Sequence, residues 1–366
     1  MPTSLTLNPA LAAIPTYQPG RPIEEAAREL GLPAAEIIKL ASNENPLGPS
    51  RRALAAMRQA LTHSHLYPDG NAFYLKQKLA GKLGIRPANL ILGNGSNEII
   101  EFIGHALLSA DAEVVVSQYC FAVYPIVTAM FNAQLVTVTA RHYGHDLDAM
   151  LAAITPRTRV VFVANPNNPT GTHVDADALL QFVNAMPANV LVALDEAYIE
   201  FLDKPLNLVA DIAADLRPNV LLLRTFSKVY GLAGLRLGYG IGSPDLIAAL
   251  EKIRQPFNIN ALSHAGAIGA LDDTAHVEKT RRNNARGLRL LARTFRRWKL
   301  EFIPSAANFI LVRVGDGQRV FAELQKLGVI TRPMGGYQLR EWIRISIGTS
   351  KQNRRCLEAL KQVLAN

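Results

Sequence analysis

Lys228 closes the run Arg-Thr-Phe-Ser-Lys (224–228) and is followed by Tyr-Gly-Leu-Ala-Gly-Leu-Arg-Leu-Gly (230–238). A lysine amine can attack a carbonyl carbon and form a Schiff base if neighbouring groups hold the carbonyl compound and stabilise the charge that develops on it. Such groups recur at intervals along the chain. Asp195-Glu196-Ala197-Tyr198 lies 33 residues before the lysine and offers a carboxylate and a phenol. Asn165-Pro166-Asn167-Asn168-Pro169-Thr170-Gly171 offers amide side chains in a tight turn. Gly93-Asn94-Gly95-Ser96-Asn97-Glu98 has the form of a strand-to-helix turn, in which the amides of Ser96 and Asn97 and the helix dipole behind them favour an anion. Arg344 sits in the apolar stretch Ile-Arg-Ile-Ser-Ile (343–347), where burial without a partner would be too costly to be accidental. Arg332, in Val-Ile-Thr-Arg-Pro (329–333), can supply a second positive charge.

The elements that must position these groups follow from the apolar pattern. From about residue 88, short β-rich runs alternate with helical stretches, the pattern of a mainly parallel sheet covered on both faces. The runs at 89–92, 113–117, 134–138, 159–164, 189–194, 220–224 and 237–241 predict seven strands in an α/β domain. Ser96 and Asn97, Asn168, Asp195 and Tyr198, and Thr225 to Lys228 all fall just beyond C-terminal strand ends, the edge at which open α/β sheets bind ligands. The pattern changes at Gln255-Pro256-Phe257-Asn258, and the helices and strands that follow predict a smaller α+β domain. The expected division is 1–45 as an arm and part of the small domain, 46–255 as the large domain, and 256–366 as the small one.

Bulk composition narrows the function classes. With 366 residues and 49% hydrophobic content, the chain can bury a large core and form two domains. No apolar stretch is long enough for a membrane span, and the first residues lack the layout of a secretory signal, so a cytoplasmic location and no membrane partner are expected. Two cysteines are too few for a disulfide framework, and the eight histidines show no metal spacing. The net charge of +9 is concentrated in residues 281–299, where Arg282, Arg286, Arg289, Arg293 and Arg296 form one helical stripe and Leu288, Leu291, Phe295 and Trp298 the opposite one. A basic face without interleaved aromatics argues against nucleic-acid binding.

Taken in order, Asn165–Gly171, Asp195–Tyr198, Ser227-Lys228 with Arg236 eight residues on, and Ile343–Thr349 resemble the fold-type I aminotransferases that depend on pyridoxal 5'-phosphate (PLP). Asn43-Glu44-Asn45-Pro46 and Tyr67-Pro68-Asp69 narrow the likeness to the histidinol-phosphate aminotransferase branch, over nearly the whole chain. The resemblance implies that Lys228 carries the cofactor and that Asp195 faces its ring nitrogen. Tyr198 and Asn168 would bond the ring oxygen, and Phe121 would stack on the ring where this branch often has tyrosine. It further implies a phosphate held by Ser96, Asn97, Thr225, Ser227 and Arg236. Tyr67 would arrive from the neighbouring subunit of a homodimer with shared active sites. Arg344, Arg332, Asn168, Asn45 and the arm residue Tyr17 would meet the substrates, an amine and a 2-oxo acid. Tyr124 is expected to be ordinary packing. Transfer between histidinol phosphate and 2-oxoglutarate is the implied reaction. An aromatic-amino-acid aminotransferase would use the same residues, and a PLP-dependent phospho-amino-acid decarboxylase has a similar fold.

Overall fold

The computed structural model describes Ala10, Ala12, Ile14, Gly20 and residues 22–365. The N-terminal segment contributes a short strand, β1 (Ile38–Lys39). The large domain follows with β2 (Leu90–Gly93), β3 (Glu113–Ser117), β4 (Gln134–Val138), β5 (Thr158–Ala164), β6 (Leu191–Asp195), β7 (Val220–Thr225) and β8 (Gly238–Ile241). These seven form one sheet in the order β2-β8-β7-β6-β5-β3-β4. Only β8 runs against its neighbours, pairing antiparallel with both β2 and β7. Runs such as Val114-Val115-Val116 are apolar without alternation because both faces of the sheet are covered. In β7, Val220 and Leu222 enter the core on one face, while Leu221 and Leu223 enter the core on the other.

The small domain holds β9 (Phe302–Ile303), β10 (Phe309–Arg313), β11 (Val329–Ile330), β12 (Arg332–Pro333) and β13 (Trp342–Ser346). Four of them form an antiparallel sheet, β12-β13-β10-β9, and β11 pairs in parallel with β1. The N-terminal segment therefore enters the small domain before the chain crosses into the large one. The basic stretch belongs to one helix, Thr274–Arg297, N-capped by Asp273, with Leu291 and Phe295 fully buried against the small sheet. The helix Ala261–Leu271, which begins just after the expected boundary at residue 255, packs instead with the helix Arg51–Leu61 into the large-domain core. Its small residues allow this close approach, since a Cβ on Gly269 would lie 2.7 Å from the carbonyl oxygen of Arg52. Among the described residues, no helix is long and apolar enough to cross a membrane.

Candidate active site

At the C-terminal edge of the large sheet, facing the small domain, lies a cavity of about 380 Å³. Asp195, the last residue of β6, is buried on its wall. Its Oδ2 accepts from the Tyr124 hydroxyl at 2.8 Å, and its Oδ1 accepts from the Ala197 amide at 3.1 Å. Burial pushes the Asp195 carboxyl upward, while these two bonds and the charge of Lys228 pull it back toward ionisation. Tyr124, expected to be packing alone, is thus also a hydrogen-bond partner of the site. Its ring is fully buried and stacked on Phe162 at 4.4 Å, which aims the hydroxyl. Phe121 lines the same cavity and meets Tyr124 edge to face.

Beside Asp195 is a cradle built for an anion. The helix Ser96–Leu107 starts at Gly95 without a side-chain cap, and Gly95 has φ +76°. A Cβ there would sit 2.4 Å from Nη2 of Arg236, and a Cβ on Gly238 would sit 2.3 Å from the Ser96 amide nitrogen. Two glycines thus let a guanidinium and a strand close on a helix N-terminus. Arg236 donates to Ser227 Oγ at 3.4 Å and to the Ala233 carbonyl at 3.1 Å, and no carboxylate pairs with it among the described residues. Thr225 Oγ1 accepts from the Ser227 amide, which fixes the turn leading to Lys228. The Lys228 ammonium lies 5.5 Å from the centre of the Tyr198 ring. An arginine, two hydroxyls and a helix start fit a phosphate, and the buried Asp195 fits a protonated ring nitrogen. The residues present therefore suit PLP.

The opposite wall comes from the small domain and the N-terminal segment. Arg344 is 6% exposed, lies over Phe309, and donates to Asn168 Oδ1 at 2.6 Å and to the Ala41 carbonyl at 2.9 Å. Arg332 stands opposite it in the β12–β13 register and lines the same cavity. Asn43, with φ +55°, donates from its side chain to the Tyr198 hydroxyl at 3.0 Å. Its amide donates to Ser346 Oγ, its carbonyl accepts from Asn308, and its Oδ1 accepts from the Ser346 hydroxyl.

Ser96, Asn97, Phe121, Asn168, Asp195, Tyr198, Thr225, Ser227, Lys228, Arg236, Arg332 and Arg344 thus all meet at one cavity. Asn45 does not line it. Its amide is spent on the Val229 carbonyl and on Thr280, and Asn43, two residues earlier, lines the cavity instead. Tyr67 is 84% exposed and stacked on Phe257, outside the cavity of its own chain. Tyr17 lies outside the described residues. The structure adds residues the motifs did not single out: Tyr337, and the ion pair of Lys39 with Glu44 at 2.9 Å, both on the cavity wall. No group of metal-ligating side chains occurs among the described residues.

Comparison with known proteins agrees with this geometry. The family model for aminotransferase class I and II matches residues 35–360. Histidinol-phosphate aminotransferase 2 of Ralstonia nicotianae is 52% identical over 358 residues, covering 96% of each chain. The corresponding enzyme of Akkermansia muciniphila is 50% identical over 95% of this chain and 96% of its own. The crystal structure of histidinol-phosphate aminotransferase from Sinorhizobium meliloti in complex with pyridoxal-5'-phosphate superimposes with a TM-score of 0.91 at 31% identity, covering 100% of this chain and 99% of that one.

Proposed function

We infer, for a chain that belongs to the class I and II aminotransferase family, an exchange of amino groups between L-histidinol phosphate and 2-oxoglutarate that yields imidazole acetol phosphate and L-glutamate. The observation that carries the substrate assignment is the roughly half-identical, nearly full-length match to relatives of that name. The cavity is consistent with it: Lys39, Lys228, Arg236, Arg332 and Arg344 face only Glu44 and Asp195, a balance suited to anionic substrates beside an anionic cofactor.

Bound PLP supplies a conjugated system that accepts the electron pair left when the substrate's Cα loses its proton. The protein's own groups do the rest. Asp195, held as an acceptor by Tyr124 and the Ala197 amide, favours a protonated ring nitrogen. Ser96, Asn97, Thr225, Ser227 and Arg236 would hold the phosphate, and Phe121 would cover the ring. Tyr198, oriented by Asn43, would donate toward the ring oxygen together with Asn168. Lys228 would take the proton from the substrate's Cα and hold it for return. Arg344, already aligned by Asn168 and Ala41, receives an anion common to the substrates, and Arg332 receives the second. Small-molecule amines and 2-oxo acids are the partners.

A homodimer with shared sites completes the reading. Tyr67, Phe73 and Tyr74 are all exposed on one chain, an aromatic surface that a second copy would cover, with Tyr67 reaching the neighbour's phosphate. Mixed dimers of Lys228→Ala and Tyr67→Phe subunits, each parent being impaired, should regain activity, and no rescue would remove Tyr67 from the site. The substrate assignment is tested by kcat/KM. Arg332→Ala should lower the value for histidinol phosphate more than that for phenylalanine, by about tenfold in ratio. Equal losses, or a wild-type preference for phenylalanine, would replace this reading with an aromatic aminotransferase.

A further inference from the structure

Directly behind the cavity wall lies a buried ionic cluster whose members do not line the cavity. Glu196 follows Asp195, and Arg224 precedes Thr225. Arg224 Nε donates to Glu196 Oε2 at 2.7 Å, with the two side chains 12% and 7% exposed. Strand alternation sends Thr225 to the cavity and Arg224 to the opposite face, where it meets its register partner Tyr239. The Glu196 amide also donates to the Leu223 carbonyl at 2.8 Å, so backbone and side chain link the same two strand ends. Glu200 approaches the cluster with a buried Oε2 that has no hydrogen-bond partner. Burial raises the Glu196 and Glu200 carboxyls, and Arg224 opposes the rise in both.

A buried ion pair is an expensive way to fill space, since apolar residues of similar volume usually stabilise as well or better. An apolar pair cannot fix the ends of β6 and β7 in a directional contact one residue away from Asp195 and Thr225. We propose that the Glu196–Arg224 pair is a positioning device for the cofactor, setting the spacing of the Asp195 and Thr225 strand ends. The role is independent of which amine the enzyme prefers, so it stands or falls separately from the substrate assignment.

The test is the dissociation constant of PLP from the apoprotein, measured by absorbance titration, together with the pH at which the bound cofactor's absorbance changes. Glu196→Gln should weaken PLP binding by about tenfold and displace that pH, and Glu196→Asp, which keeps the charge, should recover part of the loss. The double variant Glu196→Met, Arg224→Met removes both charges while keeping the volume. It should melt close to wild type as apoprotein yet still bind PLP about tenfold more weakly. PLP affinity within about twofold of wild type in the folded double variant would overturn the proposal, as would the same result in Glu196→Gln. If Glu196→Gln does not fold, the double variant decides.

Discussion

The two ends of the large sheet handle buried acid in opposite ways. At the N-terminal end, Glu113 opens β3 and is bonded by the Thr155 hydroxyl and by Arg157. The Thr155 bond, assisted by Arg157, holds its carboxyl below the usual range despite burial. At the C-terminal end, Asp195, Glu196 and Glu200 are all pushed upward, in each case chiefly by burial, and Glu200 reaches about 7. One end satisfies its acid fully and stabilises the fold. The other buries several acids whose carboxyls are pushed upward, an arrangement that costs stability and is found where charge must respond to a ligand.

That contrast can be broken or sharpened by substitution. The largest effect should come from Lys228→Ala, which removes the proposed amine nucleophile and proton acceptor and should lower kcat by about 10³-fold or more with little change in melting temperature. Asp195→Asn keeps the shape but not the charge, and should cost about 10²-fold in kcat while leaving the apoprotein as stable as wild type or more so, because a disfavoured buried charge is lost. Glu113→Gln should do the reverse, with kcat/KM unchanged and a lower melting temperature. Because the folded-state pKa of Glu113 lies below its ordinary value of 4.5, its contribution is present above that pH and is lost on acidification. The gap between variant and wild type should therefore close as the pH falls below about 4.5.

The smallest and most diagnostic effect is expected for Glu200→Gln. A carboxyl raised from 4.5 to about 7 binds its proton more tightly folded than unfolded, so wild-type stability falls as the pH rises through that interval and levels off above it. The variant has no such slope. Its advantage over wild type should grow between those two pH values by on the order of 1–3 kcal/mol, read from urea unfolding at a series of pH values. A flat difference would mean that Glu200 titrates normally and that the two sheet ends treat buried acid alike.

Much of the cavity was legible in sequence because open α/β sheets place ligands at C-terminal strand ends, and the chain marks those ends with polar groups after apolar runs. Asp195, Thr225, Lys228 and Ser96 are of this kind. Contacts that depend on the aim of a side chain were not legible. Tyr124 sits three residues from Phe121 in an apolar helix, and nothing in that pattern shows that stacking on Phe162 points its hydroxyl at Asp195. Asn43 and Asn45 are indistinguishable by type. A left-handed backbone at Asn43 and a bond from Asn45 to Thr280 separate them, and both depend on distant parts of the chain. The helix Ala261–Leu271 falls past the boundary that the sequence suggests because the break at Pro256 is local, whereas its packing on Arg51–Leu61 is not.

The clasp between Asn43, Ala41 and the last strand also bears on how the protein comes to exist. The Asn43 amide meets Ser346, and the Ala41 carbonyl meets Arg344, in each case across 303 positions of sequence. During synthesis the opening segment must therefore wait, its partners unmade, until nearly the whole polypeptide has left the ribosome. The large-domain core draws on neither segment. A nascent or prematurely terminated chain would then carry a formed sheet and its lysine but no anion receptor opposite, so incomplete copies could take up cofactor without turning over substrate.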